Sequence, residues 1–255
     1  MRLICGRPLL AWVYLRAQKC TLINRLTVAT DSDLILGYCD QHTIPAILTS
    51  SRHASGTDRL IEVMDRDLEL GQVADIYLNI QGDEPMVSAN HIELLLRPFA
   101  DQIQEGQTGN SVQADPADRG RPLVPSRGQV QVSTLKVSVS VEEAADPNAV
   151  KVVTDSDGLA LYFSRATIPY DRDRSGSALY YKHLGFYAYT ADALRRFRSL
   201  PPSPLEQLEQ LEQLRFLENG IPISVVETTE DTIGVDTEED LRRVEEHFRR
   251  LGLGP

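Results

Sequence analysis

The chain has 255 residues, 42% hydrophobic and 25% charged, which is enough apolar material for a sizeable core; 16 glycines and 14 prolines exclude collagen-like or linker composition. A formal charge of −11 at pH 7 excludes gripping nucleic acid or an anionic membrane through the overall field, so an anionic ligand needs a local cluster of Arg, Lys or metal. Cys5, Cys20 and Cys39 lack metal-ligand spacing and fit a reducing compartment, and Arg7-Pro8 interrupts the apolar opening well short of the roughly 18 residues of a membrane span, so a cytoplasmic location is expected.

Hydrophobic periodicity then alternates between helix and strand. Residues 8–19 read as an amphipathic helix, 25–29 as a short strand running into Thr30-Asp31, 32–41 as a helix and 44–48 as a strand. A helix over 57–70 precedes the clearest strand, 76–80, which stops at Gln81-Gly82-Asp83-Glu84-Pro85, and a helix over 88–104 follows. This order predicts a parallel sheet with crossover helices. Residues 105–129 lack periodicity and read as a long mobile insertion. A strand over 132–139 and a hairpin of 150–154 with 159–163 around Asp155-Ser-Asp-Gly158 extend the sheet into a mixed one. Strand 182–189 follows. Ser203, Pro204 and Glu206 have the spacing of a capping box and Gly220 of a stop, which predicts one helix between them. A strand over 221–227 leads to a final helix opened by Thr237 and Asp240. The Leu-Glu-Gln triplets at 205–213 are a short low-complexity run.

Several residues in this frame suit chemistry. Asp83 follows strand 76–80, and ligands of open α/β sheets bind outside the carboxyl ends of strands; it suits a metal or substrate, or alternatively caps the next helix. Asp236, just before the last helix, is either that helix's N-cap or a second carboxylate converging on Mg²⁺ and phosphate oxygens. Ser55-Gly56-Thr57 either presents backbone N–H groups to an anion or a base edge, or places Thr57 as a plain cap. Lys151, Arg165, Arg172, Arg174, Lys182 and His183 gather the late cations; Arg165 could hold a carboxylate, while Arg172 and Arg174 alternate with aspartates as in a solvated loop. His183 and Tyr187 share a strand face, and Glu212 and Gln213 would ordinarily be exposed helix positions. No nucleophile elbow, dinucleotide loop, Walker loop or zincin helix occurs.

The runs Val28-Ala-Thr-Asp31, His53-Ala-Ser-Gly-Thr-Asp-Arg59, Asn79-Ile-Gln-Gly-Asp-Glu-Pro85 and Asp146-Pro-Asn-Ala-Val-Lys-Val-Val153 occur in order. Tyr162-Phe-Ser-Arg-Ala-Thr-Ile-Pro169, Lys182-His-Leu-Gly-Phe-Tyr187, Ser203-Pro-Leu-Glu206, Leu211-Glu-Gln-Leu-Arg215 and Gly234-Val-Asp-Thr237 come after them. Together they closely resemble the 3-deoxy-manno-octulosonate cytidylyltransferase (CMP-Kdo synthetase) family across nearly the whole chain.

The resemblance implies a Rossmann-like nucleotidyltransferase fold in one domain, usually a homodimer. It implies joining of CTP and Kdo to CMP-Kdo and pyrophosphate for lipopolysaccharide synthesis. By resemblance Asp83 and Asp236 hold Mg²⁺. Gln81, Arg165, His183, Tyr187, Glu212 and Gln213 face Kdo, and Ser55 and Arg59 match the cytidine side. Related acidic sugars, an amino-substituted Kdo or a sialic acid, are the alternative substrates, and a non-catalytic remnant is the alternative of another class. The family normally opens with a strand and an Arg- and Lys-bearing loop around the triphosphate. Gly6-Arg7-Pro8-Leu9 matches a segment after that loop, so the expectation is an N-terminally truncated domain that binds CTP weakly.

Overall fold

A computed structural model describes residues 1–107 and 130–253. Leu3–Ile4 (β1) and Arg7–Pro8 (β2) form a small antiparallel hairpin that the sequence reading does not foresee. Its two turn residues, Cys5 and Gly6, both have positive φ. Helix α1 (Leu9–Ala17) follows, then β3 (Val28–Thr30), α2 (Asp33–Gln41) and β4 (Ala46–Leu48). β3 and β4 pair in parallel as a separate two-stranded sheet.

Helix α3 (Gly56–Glu69), strand β5 (Ile76–Asn79) and helix α4 (Ala89–Gln107) match the expected alternation. Residues 105–107 of the expected insertion belong to α4; residues 108–129 lie outside the described residues. Next come β6 (Val132–Val139), α5 (Val141–Ala144), β7 (Lys151–Thr154), β8 (Ala160–Ser164) and the long β9 (Tyr180–Thr190). Helix α6 (Ala191–Ser199), opened by the Thr190 hydroxyl accepting from the Ala193 N–H, has no counterpart in the sequence reading. Helices α7 (Pro204–Glu209) and α8 (Gln213–Glu218), strand β10 (Ile223–Thr228) and α9 (Glu238–Arg250) complete the order.

The main sheet runs β10-β6-β9-β7-β8, with β5 on the other part of β9. β10 and β6 are parallel, whereas β5, β6 and β7 all run antiparallel to β9. The sheet is mixed, as expected; the expected parallel pairing across a crossover helix holds for β3 and β4, whereas β5 has no parallel neighbour among the described residues and departs from it. Helices cover both faces. Tyr187, Tyr189 and Ile223 pack with α3, α6 and α8 on one side, and Leu184, Phe186, Ala188 and Val226 pack with α1 and α4 on the other. A third cluster joins Ile4, Leu9 and Trp12 to Val244 and Phe248 of α9, with the Trp12 and Phe248 rings edge to face at 4.8 Å.

Two of the backbone irregularities among the described residues shape the site. The register of β6 against β9 jumps between Thr134 (opposite Tyr187) and Leu135 (opposite Leu184), so β9 carries Gly185 and Phe186 as extra residues. The single helix expected between Ser203 and Gly220 is broken. Gln210 adopts the left-handed conformation (φ 54°) and ends α7, so α8 restarts at Gln213.

Candidate functional site

A cleft of about 780 Å³ opens beyond the carboxyl end of β5, within the size range of small-molecule sites. β9 supplies its floor through Lys182, His183, Tyr187 and Tyr189; β5 and its following loop supply Asn79, Gln81 and Glu84. Thr57 of α3, the 210–213 turn, the 140–150 segment and the 232–236 loop complete the walls. Aromatic rings follow one another along the floor: His183 is tilted against Tyr187 at 5.3 Å, and Tyr187 stacks on Tyr189 at 5.5 Å and Tyr189 on Phe216 at 5.7 Å. That ladder fixes the floor rigidly.

Of the residues singled out by sequence, Gln81, His183, Tyr187, Glu212, Gln213 and Asp236 line this one cleft. Buried polar atoms normally have partners. Yet Tyr187 Oη, Glu212 Oε2, Gln213 Nε2 and Glu84 Oε2 are buried with none, and all four residues line the cleft. Such atoms mark a surface built to hydrogen-bond a ligand. Gln213 is only 6% exposed, against the expectation of an ordinary exposed helix position: the break at Gln210 turns the start of α8 inward.

The observed helix caps remove the capping alternatives at Asp83, Asp236 and Thr57. Ser55, not Thr57, caps α3 by accepting from the Asp58 N–H at 3.1 Å. Thr237, not Asp236, caps α9, and the Ser88 hydroxyl, not Asp83, receives the His91 N–H at the start of α4. Asp83 and Asp236 are therefore free of capping duty. The Val235 N–H donates to the Asp83 carbonyl at 2.9 Å, which holds the two carboxylate-bearing loops side by side. Although Asp83 reaches solvent, desolvation by the loops around it raises its pKa, and the charge of Asp236 adds to the rise.

Arg165 is placed differently from the expectation. It does not line the cleft: its Nε donates to the Glu209 carbonyl at 2.8 Å and Nη1 to the Pro147 carbonyl at 3.2 Å. These bonds tie the 146–149 wall to the end of α7, because the short loop after β8 carries Arg165 between them. Ser55 and Arg59 flank the first turn of α3, beside the cleft residue Thr57, with Arg59 paired to Asp31 at 3.4 Å and bonded to the Thr49 hydroxyl. Arg172 and Asp173 are exposed, as a solvated loop requires.

Sequence reasoning missed Glu84, Asn79 and Tyr189 as cleft residues and singled out Lys182 only as one of the late cations. Burial, reinforced by the Asp83 charge, pushes Glu84 up to about 7. Lys182 Nζ donates to Glu143 at 2.7 Å and lies 2.8 Å from Asp231, so it braces α5 against the loop before α9. The signal was present: Lys182 flanks His183, and Asn79 opens the Asn-Ile-Gln-Gly run. Burial also raises Glu212, opposed by the hydroxyls of Thr57 and Ser55, and desolvation pushes the half-buried His183 down to about 3, leaving its imidazole neutral.

Among the described residues no group of three or more His, Cys, Asp or Glu converges as a complete metal cage. Two loop carboxylates suit a hard cation such as Mg²⁺, which commonly takes one or two protein carboxylates and completes its shell with substrate phosphates and water. Asp83 and Asp236, both exposed and held together, fit that use. No helix of the described residues is long and apolar enough to cross a membrane.

The family described as cytidylyltransferase matches residues 1–229. The chain is 50% identical over 246 residues to the 3-deoxy-manno-octulosonate cytidylyltransferase of Acidobacterium capsulatum, covering 96% of this chain and 88% of that protein. It is 47% identical to the enzyme of the same name from Koribacter versatilis, covering 98% and 83%. Among solved structures it is similar to a CMP:2-keto-3-deoxy-manno-octonic acid synthetase complexed with CTP, with a TM-score of 0.81 and 38% identity over 98% of this chain and 91% of that one.

Proposed function

The chain belongs to the cytidylyltransferase family, and we propose that it joins CTP to 3-deoxy-manno-octulosonate, releasing pyrophosphate and forming CMP-Kdo. The observation that carries this reading is the clustering of unpartnered polar atoms in one cleft: Tyr187 Oη, Glu212 Oε2 and Gln213 Nε2 present acceptors and donors of the kind a polyhydroxylated acid needs.

In this reading the anomeric hydroxyl of Kdo attacks the α-phosphorus of CTP; the new P–O bond forms as the bond to the pyrophosphate oxygen breaks. Such chemistry depends on positioning and charge neutralisation, with no covalent enzyme intermediate. Gln81, His183, Tyr187, Glu212 and Gln213 orient the sugar on the aromatic floor, and the first turn of α3, with Ser55 and Arg59, stands on the nucleotide side. Asp83 and Asp236 would hold Mg²⁺, which supplies charge neutralisation for the phosphate oxygens. Arg165 acts here as a brace of the cleft wall through Pro147 and Glu209.

A cytoplasmic homodimer supplying lipopolysaccharide synthesis goes with this reading. The test is pyrophosphate release by the purified protein with CTP, Kdo and Mg²⁺. Release that requires all three supports the reading, and release independent of Kdo contradicts it.

A further inference from the structure

The Thr134 hydroxyl lies at the register jump of β6 on β9, within 2.8 Å of the Phe186 carbonyl and 3.2 Å of the Leu184 carbonyl. It thereby gives a partner to the carbonyl of Phe186, one of the two extra residues that the register jump leaves unpaired in β9. The same oxygen is 2.9 Å from His183 Nε2. A hydroxyl has one hydrogen, and carbonyls only accept. The shortest of the three contacts, 2.8 Å to the Phe186 carbonyl, directs the Thr134 hydrogen there, which leaves the Thr134 oxygen to accept from an Nε2–H of His183.

The ring of His183 is held in plane by Phe163 edge-on at 5.1 Å and by Tyr187 at 5.3 Å. The imidazole is neutral, so its single N–H sits on Nε2 and Nδ1 carries a lone pair. Nδ1 makes no hydrogen bond among the described residues, although His183 lines the cleft. A lone pair there accepts from a hydroxyl and repels a carboxylate or phosphate.

We propose that Thr134 is a positioning residue that fixes His183 as its Nε2–H tautomer, so that Nδ1 reads a hydroxyl of the sugar and the sugar's carboxylate lies elsewhere in the cleft. The assignment to the sugar rests on the function proposed above; the tautomer does not. Thr134 is itself buried and acts through His183.

The experiment is ¹⁵N NMR of the full protein labelled at histidine, with His183 assigned from the His183→Gln variant, together with steady-state kinetics of Thr134→Val and Thr134→Ser. The expected result for the wild type is a pyrrole-like Nε2 and a pyridine-like Nδ1, with Nδ1 alone shifting when Kdo is added. Thr134→Val should mix the tautomers and raise KM for Kdo roughly tenfold, the size of one lost hydrogen bond, while KM for CTP stays within about twofold. Thr134→Ser, which keeps the hydroxyl, should restore both readings. A wild-type Nδ1–H tautomer overturns the proposal, as does a Kdo titration that leaves Nδ1 unmoved in a protein that turns Kdo over. Should Thr134→Val not fold, the wild-type spectrum and Thr134→Ser decide. Absence of any turnover of Kdo with CTP contradicts the proposed function instead and leaves the tautomer measurement standing.

Discussion

The N–H of Val235 donates to the carbonyl of Asp83 at 2.9 Å, stitching the loop that leaves β5 to the loop that enters α9. Two carboxylates from distant parts of the chain, Asp83 and Asp236, thus stand together, and the charge of Asp236 contributes to the raised pKa of Asp83. Their proximity costs repulsion in the free protein, which a cation would relieve. Asp83→Asn and Asp236→Asn should each lower Mg²⁺-dependent turnover by at least roughly a hundredfold. Because each removes one of two repelling charges, the melting temperature without metal should hold or rise. Loss of turnover accompanied by a fall in melting temperature would make the pair structural.

The turn that carries Glu212 and Gln213 is closed by a buried ion pair. Arg215 Nε donates to Glu206 Oε2 at 2.7 Å, a second guanidinium nitrogen bonds Glu206 Oε1, and the guanidinium lies 4.0 Å over the Phe197 ring. Both side chains are 11% exposed. Arg215→Met should leave a buried carboxylate unpaired and cost about 3 kcal/mol of stability. The double variant Glu206→Gln with Arg215→Met should recover part of that loss, as read by urea denaturation of the four proteins in a cycle.

Desolvation holds His183 down to about 3, against 6.5 for an ordinary histidine. Between those two pH values the unfolded chain binds a proton that the folded chain does not. The stability contribution is complete above about pH 6.5 and is lost as pH falls toward 3, at up to ~1.4 kcal/mol per pH unit. Burial of His91 acts in the same direction. His183→Gln should therefore show a shallower fall in unfolding free energy between pH 6.5 and pH 5 than the wild type. Equal slopes would mean that His183 is not buried in its neutral form.

Elements with strong periodicity are legible in the sequence: β6 reads at 132–139 with its observed bounds, and the helix starts at Ser203-Pro204 and Thr237 come from capping chemistry alone. What escapes is tertiary. Nothing local shows that β5 pairs antiparallel with β9, since strand direction depends on which partner the sheet supplies. The break at Gln210 hides inside a run of good helix formers, with no glycine or proline to mark it. Thus residues 212 and 213 read as exposed although the break turns them into the cleft. Arg165 illustrates the reverse: its motif is legible, but its carbonyl partners Pro147 and Glu209 come together only in the fold. The proximity of Asp83 to Asp236 is reached through resemblance rather than through any spacing.

Gly56, the first residue of α3, leaves room for the amide side chains of β5 and its loop. A Cβ at position 56 would lie 2.8 Å from Gln81 Nε2 and 3.3 Å from Asn79 Nδ2. Gly56→Ala should improve helix propensity, so the melting temperature should hold or rise. It should also displace Gln81 and raise KM for Kdo roughly tenfold, about one hydrogen bond. An unchanged KM in a well-folded variant would show that Gln81 does not contact the sugar.

The identity of the sugar is central, and the most direct measurement of it is kcat/KM for pyrophosphate release with CTP and Mg²⁺ across Kdo, an amino-substituted Kdo and a sialic acid. The likeness to relatives named 3-deoxy-manno-octulosonate cytidylyltransferase predicts that Kdo is preferred, each mismatched polar group in the cleft costing a factor of roughly ten or more. A sialic acid or an amino sugar turned over more efficiently than Kdo would contradict that assignment.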